Sequence, residues 1–136
     1  MKRVLEKLFA KKPAPLSGVP TVRRMKNYSA QSGYVYQYYY EGHRDSGSAE
    51  GNAREFVFSI SADRTNWTQN SVFVLGTAID TWQQQHGREL SSTECYAIAK
   101  MALFQAFDER ESPRLLKEAV WVRAADLDAI VENLDL

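Results

Sequence analysis

The tyrosines of the segment YVYQYYY are the residues of this 136-residue chain whose type and spacing point most directly to chemistry. Five of the seven tyrosines fall in this segment. Side chains alternate between the two faces of a β-strand, so one face would carry an aromatic row of Tyr34, Tyr36, Tyr38 and Tyr40. Such a row could stack on nucleic-acid bases, bind a protein partner, or fill a core with hydroxyls that reach its edge.

Acidic and imidazole side chains follow the tyrosines in a glycine-rich segment, at Glu41, His43, Asp45 and Glu50. Oxygen and imidazole ligands of this kind could bind a divalent cation. Their spacing matches no known metal-binding loop, and charges that keep a hairpin loop in water are the simpler interpretation. The sequence therefore predicts neither a metal site nor a cofactor.

Common catalytic signatures are absent from the sequence. The sequence has no Walker loop, no dinucleotide fingerprint, no nucleophile elbow and no His-Glu-x-x-His motif. Cys95 lies on the apolar stripe of a predicted helix, which favours a buried thiol. His86 precedes a helix-ending glycine, where it can interact with the last carbonyls. Asp108 and Glu111 fit a charged helix end better than an acid–base pair, so no catalytic residue is predicted.

The strands that must position these residues are read from the hydrophobic pattern. Alternation of apolar residues predicts strands near 33–41, 54–61 and 71–75. A fourth strand is possible at 119–123, which could instead continue a helix. The polar, glycine-rich segment 41–52 predicts a long, flexible hairpin connection.

Helical periodicity predicts four helices in the second half of the chain, near 77–86, 92–108, 113–119 and 125–134. Ser91 and Glu94 form a capping box at the start of the second of these helices. Apolar residues occupy most of the circumference of that helix, which makes it the central helix of the core. We therefore expect an α+β fold, in which a three- or four-stranded, mainly antiparallel sheet packs on these helices.

The first 28 residues differ from the rest of the chain in charge. They contain eight Lys or Arg residues and one Glu, a charge of +7, while the remaining residues carry −7 and the whole chain is neutral. Apolar residues at helical spacing predict a short amphipathic helix over 2–11, followed by a proline-rich linker. Residues 1–28 are therefore predicted to form a basic N-terminal arm, and residues 29–136 a single α+β domain.

The single cysteine argues against a disulfide framework and favours a reducing compartment, so we expect a cytoplasmic location. No segment approaches the roughly 18 consecutive apolar residues of a membrane-spanning helix. The basic start also lacks the apolar stretch of a secretory signal.

These observations predict a non-enzymatic binding or accessory subunit that engages a protein partner or larger assembly. The contact would use the arm and the exposed sheet face, through Val4, Leu5, Leu8, Phe9, Lys11, Lys12, Arg23, Arg24 and Tyr39. The apolar stripe of the arm could fill a groove on a partner or cover its own domain. Weak contact with an anionic membrane surface is a further alternative.

A single-stranded nucleic-acid-binding protein that uses the tyrosines and the basic arm is the main alternative. The acidic body of the chain counts against it, as does the missing Lys/Arg-Gly-Phe pattern of common RNA-binding sheets. Pairing with the aromatic strand at Phe56 and Phe58 places the tyrosine row mostly in the core. Tyr39, on the opposite face, is then the better candidate for an exposed contact. A small enzyme of unknown type is the third alternative.

Overall fold

A computed structural model describes residues 13–136, which form a five-stranded sheet and three α-helices. In chain order the elements are β1 (Lys26–Ser29), β2 (Val35–Ser48), β3 (Gly51–Ser61), β4 (Thr68–Leu75), α1 (Gly76–His86), α2 (Ser92–Glu109), β5 (Val120–Val122) and α3 (Ala124–Leu134). A short 3-10 helix at Pro113–Leu115 lies between α2 and β5. Within residues 13–136, four strands thus precede α1, and β5 lies between α2 and α3.

The strands are arranged in sequence order from β1 to β5. The first four pair antiparallel with their neighbours, whereas β5 pairs with β4 in parallel, with Val72 opposite Val120. The α+β class agrees with the sequence. The prediction of a three- or four-stranded, mainly antiparallel sheet is wrong, because the sheet has five strands and is mixed. A parallel neighbour requires a long crossover connection, which α1, α2 and the 3-10 helix provide here.

β1 is the strand that the hydrophobic pattern does not predict. It pairs with the first part of β2, from Lys26 opposite Tyr38 to Ser29 opposite Val35. Its sequence is Lys-Asn-Tyr-Ser, in which Tyr28 is the one apolar side chain and the other three residues are exposed. One apolar residue gives no alternation that could predict a strand. An edge strand of this kind joins the sheet through backbone hydrogen bonds, which leave no hydrophobic signature.

The segment 41–52, predicted as a flexible connection, is mostly strand instead. β2 and β3 stay paired as far as Ser48 and Gly51, which a two-residue turn connects. The Ser48 hydroxyl donates to the carbonyl of Gly51 at 2.6 Å and accepts from the backbone N–H of Glu50 at 3.2 Å. Backbone pairing is open to any residue except proline, so polar residues and glycines extend the hairpin despite their composition.

The start of α2 confirms the capping box. The hydroxyl of Ser91 accepts from the backbone N–H of Glu94 at 3.1 Å, and the Glu94 carboxylate accepts from the N–H of Ser91 at 2.9 Å. α1 ends at Gly87, whose left-handed conformation, with φ of 64°, is the one that glycine adopts at helix ends. Both boundaries are therefore set by local sequence.

The predicted helix near 113–119 is wrong, because only the 3-10 helix Pro113–Leu115 forms there. The backbone N–H groups of Leu116 and Glu118 still donate to the carbonyls of Pro113 and Leu115, but no α-helix continues beyond them. The Arg110 guanidinium, which follows α2, donates to the carbonyls of Leu115 and Glu118 at 2.8 Å each. This bridge holds the segment in the irregular path that leads into β5.

A side chain of β4 holds the same segment from the other side. The Asn70 amide nitrogen donates to the carbonyl of Leu116 at 2.6 Å and to the carbonyl of Glu118 at 2.7 Å. Asn70 is only 1% exposed. It thus fixes the chain directly before β5 and favours a strand over a continued helix at 119–123.

The tyrosine row lies on the sheet face that packs against α2. Tyr36 and Tyr38 are buried, and the Tyr36 ring stacks on Phe107 of α2 with 4.4 Å between centroids. Tyr40 is partly buried, whereas Tyr34 at the end of the row is exposed. The row is therefore mainly core, as the pairing argument predicts.

The amphipathic helix predicted over 2–11 lies outside the described residues, and the proposed boundary between residues 28 and 29 stays a prediction. Among residues 13–136, no helix has both the length and the apolar character required to cross a bilayer.

Candidate functional site

The sheet face opposite the tyrosine row carries four aromatic side chains. Residues paired across neighbouring strands direct their side chains to the same face. The register therefore puts Tyr39 of β2, Phe73 of β4 and Trp121 of β5 on this face. Trp67, directly before β4, contacts Tyr39. We call this surface the distal face and define it by these four aromatic residues.

Tyr39 and Trp67 form the first aromatic pair of the distal face. Their ring centroids are 5.1 Å apart, with 42° between the ring planes. The Arg23 guanidinium carbon lies 4.2 Å from the centroid of Tyr39, within the range of a cation–π contact. Trp67 is 38% exposed, so this pair presents indole surface to the solvent.

A carboxylate fixes the arginine of this first pair. Nε and Nη2 of Arg23 each lie 2.9 Å from a carboxylate oxygen of Glu41, which makes a bidentate ion pair. The Ser59 hydroxyl donates to the same carboxylate at 2.6 Å. The position of the guanidinium over Tyr39 is thus set by the sheet itself rather than by a mobile side chain.

A second ion pair occupies the centre of the distal face. Nε and Nη2 of Arg44 lie 2.8 and 3.2 Å from the two carboxylate oxygens of Glu55, and the Ser71 hydroxyl also donates to Glu55. Burial alone would raise the pKa of Glu55, but the hydrogen bonds from Arg44 and Ser71 lower it below its usual value. The carboxylate therefore stays ionised although Glu55 is buried.

Phe73 and Trp121 form the second aromatic pair. Their rings stack with 4.6 Å between centroids and 19° between planes. The Arg123 guanidinium carbon lies 5.7 Å from the Trp121 centroid. Its Nε and Nη2 atoms lie 2.8 and 2.7 Å from the carboxylate of Glu50 in the hairpin turn. The second pair thus repeats the pattern of the first, with an aromatic pair beside an arginine that a glutamate holds.

The sequence-predicted partner-binding residues divide into three groups. Arg23 and Tyr39 come together on the distal face. Arg24 points to the other side, where it lines a pocket with Tyr40 and Tyr96. The remaining six lie outside the described residues: Val4, Leu5, Leu8, Phe9, Lys11 and Lys12.

Three of the four aromatic residues of the distal face are not predicted by the sequence. Phe73 and Trp121 each stand between two valines in a short apolar segment, which gives no sign of which face is covered. The parallel pairing of β4 with β5 brings them together. Trp67 lies outside the predicted strands, and only its contact with Tyr39 assigns it to this face.

Cys95 lies in the wall of a surface pocket of about 590 Å³, between the β2–β3 hairpin and α1. The thiol belongs to a residue that is 4% exposed, and burial raises its pKa. Thiolate is the reactive form, so a raised pKa makes Cys95 a poor nucleophile. Asp45, Arg54 and Asp80 also line this pocket, and Arg54 already pairs with Asp45 at 3.7 Å.

The histidines take part in local hydrogen bonds. Nδ1 of His86 donates to the carbonyl of Trp82 at 2.9 Å, as expected near a helix end. Nδ1 of His43 is hydrogen-bonded to the Tyr40 hydroxyl at 3.1 Å. Within the described part of the chain, no group of three or more His, Cys, Asp or Glu side chains is arranged to hold a metal ion.

The distal face has the side chains of a binding surface. Its aromatic rings provide apolar contact area, and its three ion pairs supply hydrogen-bonding groups that are fixed in place. No family model, curated protein or solved structure matches the chain.

Proposed function

We propose that the chain is a non-enzymatic binding or accessory subunit that engages a protein partner through the distal face, together with the N-terminal arm. The observation that carries this proposal is the repeated combination of an aromatic pair with an arginine held by a glutamate. Tyr, Trp and Arg are the residue types enriched at the energetic centres of protein–protein interfaces. The cytoplasm, expected from the single cysteine, is part of the proposal.

The charges of the distal face favour a protein partner over a nucleic acid. Nucleic-acid affinity comes largely from cations that neutralise phosphates. The arginines of this face, Arg23, Arg44 and Arg123, each form an ion pair with a glutamate. Binding phosphates with them would require breaking these pairs. The tyrosines best placed to stack on bases, Tyr36 and Tyr38, are also buried.

The same charges indicate the chemistry of the partner. A surface whose ion pairs are already closed gains little from additional charges on the opposing molecule. Its aromatic rings, of which Trp67 is exposed and the other three are partly buried, gain from apolar side chains that exclude water. The segment of the partner in contact with Tyr39 and Trp67 is therefore expected to be apolar, with hydrogen-bonding groups at its edges.

The proposal is tested by site-specific photo-crosslinking in cells. A photoreactive phenylalanine analogue replaces Trp67 in one variant and Tyr34 in the control variant. These two side chains are 38% and 40% exposed, but Tyr34 contacts Tyr36 of the tyrosine row rather than the distal face. We expect one defined protein to crosslink to position 67 and not to position 34. That protein, once purified, should bind the purified chain. The same products from both positions, or none, would contradict the proposal.

Oligonucleotide binding provides the opposing outcome. Binding of a mixed single-stranded oligonucleotide is measured by fluorescence anisotropy. If the distal face binds a protein, any saturable oligonucleotide binding should be unchanged in Trp67→Ala. Binding that falls steeply with salt and is lost in Trp67→Ala would instead show a nucleic-acid partner for this face.

A further inference from the structure

A separate feature lies on the opposite side of the sheet, between α2 and the extended chain before β1. It is a pocket of about 160 Å³ lined by Tyr38, Tyr40, Tyr96, Arg24 and Lys26, among others. Its walls come from three different parts of the chain: the segment entering β1, strand β2 and helix α2. The pocket therefore exists only in the folded sheet.

A third cation lies beside this pocket. Lys100 of α2 places its ammonium nitrogen 5.9 Å from the centroid of Tyr38 and 5.8 Å from that of Phe104. Burial and the neighbouring Lys26 ammonium lower the pKa of Lys100. Two lysines thus approach each other over an aromatic wall, with Arg24 at the same pocket.

The positive charge at this pocket is unbalanced. Within residues 13–136, no carboxylate lies within 4 Å of the cationic atoms of Arg24, Lys26 or Lys100. Lys100 is partly buried, whereas Arg24 and Lys26 are exposed; a partly buried charge without a counter-ion is costly, and a nearby anion favours its charged form. This differs from the distal face, where each arginine has a glutamate. The site is therefore complementary to a negatively charged group.

The pocket also offers neutral hydrogen-bond donors. Burial raises the pKa of Tyr38 and of Tyr40 to about 12 and raises that of Tyr96, so all three hydroxyls stay protonated at neutral pH. Tyr40 is already hydrogen-bonded to His43. In the described part of the chain, no hydrogen bond occupies the hydroxyl of Tyr38 or Tyr96. These two can donate to an anion without giving up another contact.

The size of the pocket and the number of donors narrow the class of anion. A volume of about 160 Å³ is below the roughly 300–1,000 Å³ of pockets for drug-sized ligands, so only a small group fits inside. Arg24 and Lys26 in the pocket, Lys100 beside it and two hydroxyls supply many donors, which suits a group with several acceptor oxygens better than a carboxylate with two. We propose that this pocket binds a phosphate group, either as free phosphate or at the end of a small phosphorylated molecule.

The full chain is titrated with inorganic phosphate at constant ionic strength, with chloride and acetate as comparison salts. Binding is followed by NMR signals of the Lys100 side chain and by calorimetry. We expect saturable phosphate binding that is tighter than acetate binding, and a higher pKa of Lys100 in the complex because the anion favours its charged form. A second titration with phenyl phosphate distinguishes the two ligand sources. If phenyl phosphate binds more tightly than inorganic phosphate, the ligand is a phosphate monoester rather than free phosphate.

Variants localise the site. Lys100→Gln and Arg24→Gln are each expected to weaken phosphate binding about tenfold, and Lys117→Gln, an exposed lysine elsewhere, is expected to leave it unchanged. Arg24 is exposed, so its variant stays informative if Lys100→Gln disturbs folding. A response that does not saturate, that chloride reproduces, or that is equal in all variants would overturn the proposal.

Discussion

Asn70 is the residue whose replacement should most sharply separate a hydrogen-bonding role from a packing role. Its amide nitrogen donates to the carbonyls of Leu116 and Glu118 at 2.6 and 2.7 Å, and the residue is 1% exposed. Arg110 also donates to the Glu118 carbonyl. Leu116 has no second side-chain donor within the described residues, so its carbonyl would lose its partner.

The cost of removing Asn70 follows from these contacts. Asn70→Ala loses two hydrogen bonds of about 1 kcal/mol each, and the unpaired Leu116 carbonyl adds to this, for a total of about 2–3 kcal/mol. Asn70→Asp is closer in shape but replaces the donor with a buried carboxylate that faces two carbonyl oxygens. It should cost about 4–5 kcal/mol at pH 7, because the charge is buried without compensation.

The pH dependence gives the sign of the charge effect. A carboxylate in this position would have a raised pKa in the folded state, since burial and two carbonyls disfavour its charge. The extra cost of Asn70→Asp over Asn70→Ala is therefore absent below the unfolded value of about 3.9 and grows as the pH rises above it. Below that pH the protonated acid can also donate one hydrogen bond.

Urea unfolding followed by far-UV circular dichroism measures these differences between pH 3.5 and 7. Gln69→Glu is the matched control, because the neighbouring Gln69 is exposed and its change should stay within about 0.5 kcal/mol. Hydrogen exchange at Val120–Val122 should speed up in both Asn70 variants, because the segment that leads into β5 is released. If Asn70→Asp were no less stable than Asn70→Ala at pH 7, the donor role assigned to Asn70 would be refuted.

Three further predictions concern buried titratable groups. Glu55→Gln leaves the guanidinium of Arg44 without its carboxylate and should cost about 2–3 kcal/mol of stability at pH 7. Because the folded pKa of Glu55 is lowered, this stability advantage of the wild type should vanish as the pH falls below about 4. Equal urea midpoints of the wild type and the variant at pH 7 would count against this prediction. The pKa of Tyr38 is raised to about 12, so the stability of the wild type should fall from about pH 10 towards pH 12. Tyr38→Phe should remove about 2–3 kcal/mol of that fall. If the stabilities of the wild type and the variant fell in parallel over this pH range, Tyr38 would not be the cause. Cys95 is buried with a raised pKa, so a disulfide reagent at pH 8 should react with the folded chain at least about 100-fold more slowly than with the unfolded chain; comparable rates would mean an accessible thiol.

The elements that the sequence predicts correctly are those determined by neighbouring residues. The capping box of Ser91 and Glu94 starts α2 through two contacts three residues apart, and Gly87 ends α1 through its own conformation. The alternation of Tyr36 and Tyr38 with polar or exposed neighbours reflects their burial under α2. The two helix ends are decided by residues close together in the chain, whereas the burial of the row also follows from its pairing with β3.

The elements that the sequence does not predict depend on distant contacts. β5 pairs in parallel because a side chain of β4, Asn70, holds carbonyls 46 and 48 residues away. The polar half of the β2–β3 hairpin is held by backbone pairing, to which its composition is indifferent. Neither interaction produces a pattern in the local sequence.

The candidate site shows the same division. Tyr39 stands out in the sequence because it is the one tyrosine of its strand on the opposite face from the row. Its neighbours on the distal face, Arg23 and Trp67, come from 16 residues before it and 28 residues after it. Only the fold brings the aromatic pair and its arginine together.

Whether the distal face binds a protein partner is decided by the dissociation constant of the purified complex between the chain and the protein that crosslinks to it. Isothermal titration calorimetry compares the wild type with Trp67→Ala and with Tyr34→Ala, the control of similar exposure outside the distal face. Trp67→Ala is expected to weaken binding about 30-fold, as for an interface residue worth about 2 kcal/mol, while Tyr34→Ala should change it less than about twofold. Equal affinities of the wild type and Trp67→Ala would mean that the partner does not bind through the distal face.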